Sequence, residues 1–371
     1  MRIGFDAKRA FNNYTGLGNY SRFIIEALQR YVPDWEYVAY TPKVGKKKWE
    51  GATGITLRMP KKSILKGLWR SFFIGKQLEE DGITIYHGLS NELPLGLKAR
   101  GVKTVVTIHD LIFLRYPTMY PFWDRLIYRL KFKWACAMAD KIVAVSEQTK
   151  RDIIHYYGTN PAKVEVIYQD CDQAFQQEIA SKIIQKTTEA YELTKPYILC
   201  VSTFTERKNQ LNLVKAFEKM AIRHVDLVLV GGKGAYQAQI ENYIATQGIT
   251  GVRIINSVPF KDLPALYQGA SLFVYPSVFE GFGIPIVEAL HSGIPVIAAT
   301  GSCLEEAGGD ACLYADPYSV DEWAVKMKIL LDDESVGLRN DFKVRGKEYV
   351  KKFESRQIAL HFKKIFLDIT Q

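Results

Sequence analysis

Long apolar runs are missing from this sequence. No stretch approaches the roughly 18 uninterrupted apolar residues of a membrane span, so a spanning helix is not expected. The opening Met1-Arg2-Ile3-Gly4-Phe5-Asp6 reads as a first buried strand and has no secretory-leader core. Cysteine is scarce: five residues, an odd number and none in a Cys-x-x-Cys pair, which excludes a disulfide scaffold and makes a reduced cytoplasm the expected compartment. Scattered cysteines and a shortage of neighbouring histidines also argue against a metal centre. No repeat of solenoid length is present. What remains is a chain of 371 residues, 47% hydrophobic and 24% charged, a folded protein with room for two domains of roughly 150 residues each.

Acidic residues are in the minority, 40 against 49 Lys and Arg, and the excess is local. Nine basic residues (Lys43, Lys46, Lys47, Lys48, Arg58, Lys61, Lys62, Lys66 and Arg70) face one acid, Glu50, a net of +8 out of +9 for the whole chain. Trp49, Leu57, Ile64, Leu65, Leu68, Trp69, Phe72 and Phe73 are interleaved with them. The segment suits either a solvated face on a mobile loop or an anionic membrane surface, where each basic residue is worth about 1 kcal/mol. Nucleic acid is set aside, because no recognition motif accompanies the charge. Tyr120 to Lys133 mixes Arg125, Arg129, Lys131 and Lys133 with Phe122, Trp123, Ile127, Tyr128 and Phe132, and either widens that face or is an ordinary amphipathic helix.

Two halves are legible. The first opens with strand Arg2–Asp6, a loop at 12–18 and a helix from about Asn19 to Tyr31; further apolar runs are Tyr37-Tyr40, Ile83-Tyr86, Val102-Ile108, Lys141-Val145 and Val164-Ile167. The second alternates strand and helix from Tyr197-Val201 to Pro295-Ala298 over about a hundred residues, as a doubly wound sheet does. Helices are expected at Val320-Leu331 and Leu338-Asp368, with a break near Phe353. The expected domains are a first Rossmann-like domain at 1–175, a connector at 176–195, a second Rossmann-like domain at 196–350 and a C-terminal helix at 351–371 packing back toward the first. The fold class is α/β: two doubly wound, Rossmann-like domains facing each other across a cleft, with ligands outside the carboxyl ends of the strands.

The loops at those ends carry the chemistry. Gly16 and Gly18 precede a helix and permit close backbone approach to phosphate, though Gly16 stands ten positions after Asp6 and the tight dinucleotide turn is lost. A flexible loop accounts for them equally well. His109 and Asp110 follow strand Val102-Ile108, where Asp110 can fix the ring through one nitrogen. Arg207 and Lys208 follow Ser202 between a strand and a helix; cations there are unfavourable unless an anion is expected, which points to pyrophosphate. The densest group is Glu280-Gly281-Phe282-Gly283-Ile284-Pro285-Ile286-Val287-Glu288. Pro285 marks a helix start, N–H groups near Ile284 to Val287 can hold phosphate, and both carboxylates can read sugar hydroxyls. Glu280 and Glu288 also fit a glycosidase acid–base pair, which leaves the phosphate-binding features unused.

Taken in order, these segments resemble the group 1 retaining glycosyltransferases of GT-B fold. The resemblance rests on Tyr14-Thr15-Gly16-Leu17-Gly18-Asn19-Tyr20, Thr107-Ile108-His109-Asp110-Leu111-Ile112, Val145-Ser146-Glu147, Arg207-Lys208-Asn209, Phe279 through Pro285 with Glu288-Ala289, and Gly309 through Tyr314. His109-Asp110-Leu111-Ile112 with Arg115-Tyr116-Pro117 is most similar to the bacterial O-antigen and capsule mannosyltransferase branch. The resemblance implies a nucleotide-sugar donor, GDP-mannose first, bound mainly by 196–350, and a glycan or polyprenyl-diphosphate-linked acceptor bound mainly by 1–175; with such an acceptor, the basic and aromatic segment of that first domain makes peripheral contact with the inner membrane face an expectation. The alternatives are UDP-glucose, UDP-galactose or a UDP-N-acetylhexosamine as donor, or a non-catalytic nucleotide-sugar-binding protein. It implies that Glu288 holds the ribose, Arg207 and Lys208 the pyrophosphate, and Glu280 the hydroxyls of the transferred hexose. Ser202, Gly283, Ile284 and Pro285 would line the donor site, Gly16 and Gly18 would approach its phosphates, and His109 would sit at the sugar's reacting face. Retention by front-face transfer is implied, with no metal and no cofactor. The chain departs from the family pattern at Ser202, at Cys303 and Glu305, and at Tyr168-Gln169-Asp170-Cys171-Asp172.

Overall fold

Apolar runs alternating with amphipathic helices fold here into two parallel sheets. In the computed structural model, residues 1–45, 49–60 and 68–371 are described. Lys46, Lys47, Lys48, Lys61, Lys62 and Lys66 lie outside them. The chain divides into one unit of Met1–Gln169 with Phe353–Gln371, and another of Asp170–Lys352.

The first unit holds strands β1 (Arg2–Asp6), β2 (Glu36–Tyr40), β3 (Thr56–Arg58), β4 (Ile85–Gly88), β5 (Lys103–Ile108), β6 (Lys141–Ala144) and β7 (Val164–Val166). They pair in parallel in the order β3-β2-β1-β4-β5-β6-β7. Helices cover both faces, so the central strands are apolar throughout; Ile3, Phe5, Val105, Val106 and Ile108 are fully buried. The order reverses between β1 and β4, which places Asp6 and Gly88 at a switch point. β3 falls in the basic segment and has no apolar run to announce it. The helix Ser355–Asp368 packs on Gly16–Tyr31 in this unit. Its Phe362 and Phe366 rings lie 5.3 and 5.8 Å from the ring of His87. That imidazole is pushed down to about 3 by burial and then by His109, and is therefore neutral at ordinary pH.

The second unit holds β8 (Tyr197–Val201), β9 (Asp226–Gly231), β10 (Val252–Asn256), β11 (Leu272–Tyr275), β12 (Val296–Ala299) and β13 (Leu313–Ala315), all parallel, in the order β10-β9-β8-β11-β12-β13. Its switch point lies between β8 and β11, at Val201 and Tyr275. Residues 176–195, read from the sequence as a connector, lie within this unit, where the helix Ser181–Ala190 packs on Leu263–Gln268. The helices Gln210–Met220 and Val320–Leu331 pack together. Among the described residues no helix is long and apolar enough to cross a membrane.

Candidate active site

From β8 the chain runs through a single tight turn, Glu206–Lys208, and then Asn209, before the helix Gln210–Met220 begins. Asn209 is left-handed, at φ 61°, a conformation asparagine tolerates better than other residues with a Cβ. Its Nδ2 donates to the carbonyls of Pro276 (3.2 Å) and Pro317 (2.6 Å). Arg207 and Lys208 thus stand before the helix, on a turn pinned to the loop that follows β11.

Glu280, in that loop, is where they meet. Its Oε1 accepts from Lys208 Nζ at 2.5 Å and Arg207 Nη1 at 2.8 Å. The same oxygen accepts from Ser277 Oγ at 2.5 Å and the Tyr275 hydroxyl at 3.2 Å. Lys208 also donates to the Tyr275 hydroxyl at 2.8 Å, and Arg207 to the carbonyl of Phe279. Burial pushes the Glu280 carboxyl up, but Lys208 and Arg207 outweigh it and hold the group at about 2. Burial pushes the Lys208 ammonium below its usual value, against the pull of Glu280. Two cations against one carboxylate leave one net positive charge at the carboxyl end of the sheet, a seat for an anion.

The helix Ile284–His291 starts beside this group, with Pro285 in its first turn. Not all of its first N–H groups are free for phosphate as expected. Those of Ile286 and Val287 donate to the Gly283 carbonyl at 2.9 and 3.3 Å, and Pro285 has none, which leaves Ile284 as the donor of that turn. Gly283 is glycine for packing reasons: a Cβ would stand 2.9 Å from Ala307 Cβ. The Cys303 thiol donates to the carbonyls of Glu280 (3.0 Å) and Phe282 (2.7 Å), tying the loop down from beneath. Glu288 lies in the second turn of the helix and accepts a hydrogen bond from the Tyr267 hydroxyl at 2.8 Å. Burial, reinforced by Asp172 and opposed by that hydrogen bond, pushes its carboxyl up to about 7. Ser202 Oγ accepts from Gln210 Nε2 at 2.8 Å.

In the first unit, His109 follows β5 and is buried. Its Nε2 meets the carbonyl of Leu89 at 2.9 Å, its backbone N–H donates to Asn91 Oδ1 at 2.8 Å, and its ring packs edge-on to Tyr20 at 4.6 Å. The Leu89 carbonyl, rather than Asp110, fixes the ring; Asp110 Oδ1 accepts the Ile112 N–H at 3.1 Å. Burial pushes the imidazole down to about 4, so it is neutral, with Nε2 as donor and Nδ1 left to accept. Gly16 opens its helix and has open space at the Cβ position, whereas a Cβ on Gly18 would stand 1.8 Å from the Asn13 carbonyl oxygen. The bareness of Gly18 is therefore taken up by its own chain.

Sequence reasoning missed Tyr275, Ser277 and Tyr267, and had Asn209 only as the neighbour of Arg207 and Lys208 in a motif, without its part in the turn. Tyr275 had a signal, as the last strand residue at the switch point; Tyr267 had none, being one helix away. One group of possible metal ligands exists among the described residues, Asp170, Cys171 and His291, with ligand atoms within 4.8 Å of one another. His291 Nε2 and Asp170 Oδ1 are hydrogen-bonded at 2.9 Å, and burial pushes the Cys171 thiol well up. The group has three ligands where a structural zinc takes four.

Residues 14–172 match the family model described as Glycosyltransferase Family 4, and residues 182–349 match Glycosyl transferases group 1. The chain belongs to the GT-B-fold glycosyltransferases. It is similar to the O-antigen chain mannosyltransferase B of Escherichia coli, 30% identical over 257 residues that make up 68% of this chain and 66% of that protein. It is also similar to the O-antigen chain mannosyltransferase RfbU of Salmonella typhimurium, 27% identical over 224 residues, 60% of this chain and 59% of that one. The matches thus span about two thirds or less of these relatives. Among solved structures, Anabaena HepE in complex with UDP and glucose superimposes with a TM-score of 0.76 over 99% of this chain and 100% of that chain, at 17% identity.

Proposed function

We propose that the chain transfers a hexose, mannose from GDP-mannose, to a saccharide acceptor of surface polysaccharide with retention of configuration. The observation that carries this reading is the convergence of Arg207, Lys208, Ser277 and Tyr275 on one oxygen of Glu280 at the switch point of the second sheet. Arg207 and Lys208 neutralise the leaving diphosphate, where charge develops in the transition state. Glu288, one helix away, takes the ribose hydroxyls, and the free lone pairs of Glu280 take hydroxyls of the hexose. Ser202, Gly283, Ile284 and Pro285 complete the donor site in this reading. His109 acts as a neutral acceptor through Nδ1 toward a sugar hydroxyl; a group held at about 4 is not a general acid at neutral pH. A carboxylate stabilised to about 2 is also a weak nucleophile, which favours front-face departure and attack over a covalent glycosyl-enzyme. The O-antigen mannosyltransferases among the relatives support mannose as the sugar.

A two-carboxylate hydrolase is the second reading, favoured by one observation: Glu280 at about 2 and Glu288 at about 7 split as an acid–base pair does. One experiment separates them. Purified protein is supplied with GDP-mannose, UDP-glucose, UDP-galactose or UDP-N-acetylglucosamine, with and without saccharide acceptor, and product anomers are read by NMR. Acceptor-dependent transfer with an unchanged anomer and the highest kcat/KM for GDP-mannose is expected. Inverted product, or hexose released equally without acceptor, refutes the proposal.

A further inference from the structure

The helix that carries Glu288 ends on a second polar group. His291 stands three positions on, in the last turn and on the same face. Its Nε2 is hydrogen-bonded to Asp170 Oδ1 at 2.9 Å, although the two residues lie 121 positions apart in the chain. The Cys171 thiol completes the group: one ligand atom from each of the three residues falls within 4.8 Å of the other two. All three belong to the second unit, which begins at Asp170. Asp170 and Cys171 are buried, and the His291 side chain is only 14% exposed. Asp170 and Cys171 fall in the segment 168–172, where the chain departs from the family pattern, so the resemblance raises no expectation of them.

Neighbouring groups hold the carboxylate in place. Asp170 Oδ1 also accepts the Cys171 N–H at 2.8 Å, and Oδ2 accepts from Gln176 Nε2 at 2.9 Å. Hydrogen bonds of this kind orient a carboxylate that coordinates a metal. The charge around the thiol is of one sign: burial pushes it up, and Asp170, Glu288 and Asp172 push it further. Three carboxyl groups and a thiol thus share one imidazole, an imbalance that a bound cation offsets. Sulfur, nitrogen and oxygen in one set select a borderline ion such as zinc, whereas calcium and magnesium take oxygen ligands. In a tetrahedral zinc site neighbouring ligand atoms stand roughly 3.5 Å apart. An ion seated here therefore draws the widest pair together by about 1 Å, a side-chain adjustment. Three protein ligands leave the fourth position to water, so the site is open rather than closed.

We infer that Asp170, Cys171 and His291 bind one zinc-class divalent ion, with water in the fourth position, and that the ion fastens the start of the second unit to the end of the helix Ile284–His291. Cys171 coordinates as the thiolate, and its proton leaves to solvent. The ion is a fastener, and no step of sugar transfer runs through it. The site goes beyond the transferase reading and stands whether or not that reading holds.

The test reads metal binding directly. Full-length protein, freed of metal by dialysis against a chelator, is titrated with Co2+ while its absorption is followed. One equivalent is expected to bind, with a thiolate-to-cobalt charge-transfer band and the intense visible absorption of four-coordinate cobalt. Zn2+ should displace it, and Mg2+ in large excess should not. Zn2+ should also raise the melting temperature of the wild type. Calorimetry in buffers of different ionisation enthalpy should detect the proton released by the thiol. Cys171→Ala should remove both the band and the proton release. His291→Gln should weaken binding more than about a hundredfold, beyond what a change of a ligand's own partner usually costs. Circular dichroism checks that the metal-free variants are folded, and should one fail to fold, the other decides. Absence of a stoichiometric band in the wild type overturns the site. A band that survives Cys171→Ala places the ion on another thiol and overturns it too, as does unchanged affinity in His291→Gln.

Discussion

Glu280 and Glu288 are carboxylates of one loop and one helix, yet their surroundings push them in opposite directions. Glu288 is raised to about 7, so the folded protein holds its proton through a range where the unfolded chain has lost it. Stability therefore falls as pH rises from the ordinary carboxylate value through 7, and the unprotonated form is the one that pairs with ribose hydroxyls. Glu288→Gln should raise stability at pH 8 by about 1–3 kcal/mol and leave it nearly unchanged at pH 4. In the wild type, affinity for the nucleoside diphosphate should climb between pH 6 and 8, and the variant should bind weakly with no such climb; calorimetry across that range checks both. For Glu280, lowered to about 2, the sign reverses: its contribution is present above the ordinary carboxylate value and is lost as pH falls toward 2. Lys208→Ala removes one of the two cations on that oxygen and should lower kcat/KM for the donor at least about tenfold. Unchanged kinetics at subsaturating donor would show that Arg207 suffices.

At the scale of elements, the closing helix Ser355–Asp368 is held in the first unit by its aromatic face. Phe362 is fully buried, and Phe362→Ala should cost about 3–5 kcal/mol of stability in urea denaturation, whereas Leu360→Ala on the exposed face should cost little. Helices of this kind were legible in the sequence. Val320–Leu331 is found as read, and the break near Phe353 is a short turn, Val350–Phe353, between Val336–Tyr349 and Ser355–Asp368. Apolar periodicity is strong in long helices and central strands, so their place and type follow from local sequence. The run Ile83-Tyr86 is offset from β4 (Ile85–Gly88), because Ile83 is buried just before the strand and lengthens the apolar run without joining it. β3 and β13, three residues each, carry no period at all, and tertiary pairing alone makes them strands. The site followed the same rule. Arg207, Lys208 and Glu280 could be picked out by charge beside glycine, but their meeting depends on Asn209 turning left-handed and on Tyr275 and Ser277 across the sheet. Distances of that sort are written in topology.

For the molecule as a whole, charge and sheet order give the outline. Two sheets, each reversing its order once, offer two switch points; at that of the second unit two cations, Arg207 and Lys208, meet one carboxylate, Glu280. The basic segment from Lys43 to Arg70 should add long-range attraction to anionic bilayers. Replacing Lys46, Lys47, Lys48, Lys61 and Lys62 together by Gln should reduce co-sedimentation with phosphatidylglycerol vesicles at 50 mM salt while leaving nucleotide binding intact. Screening should abolish the wild-type advantage at high salt. Equal co-sedimentation of the two proteins at low salt would make that segment a solvated face.

The first unit is assembled from both ends of the chain, Met1–Gln169 and Phe353–Gln371, and the second lies wholly between them. Seen as genetic material, the second unit is an insert with two seams. Cutting the gene once, after Gln169, would strip Phe362 and Phe366 from His87 and leave the upstream fragment unfinished. A graft that replaces 170–352 as a block would keep that aromatic seat whole. Engineers who wish to exchange one unit for a relative's should therefore join the pieces at two places.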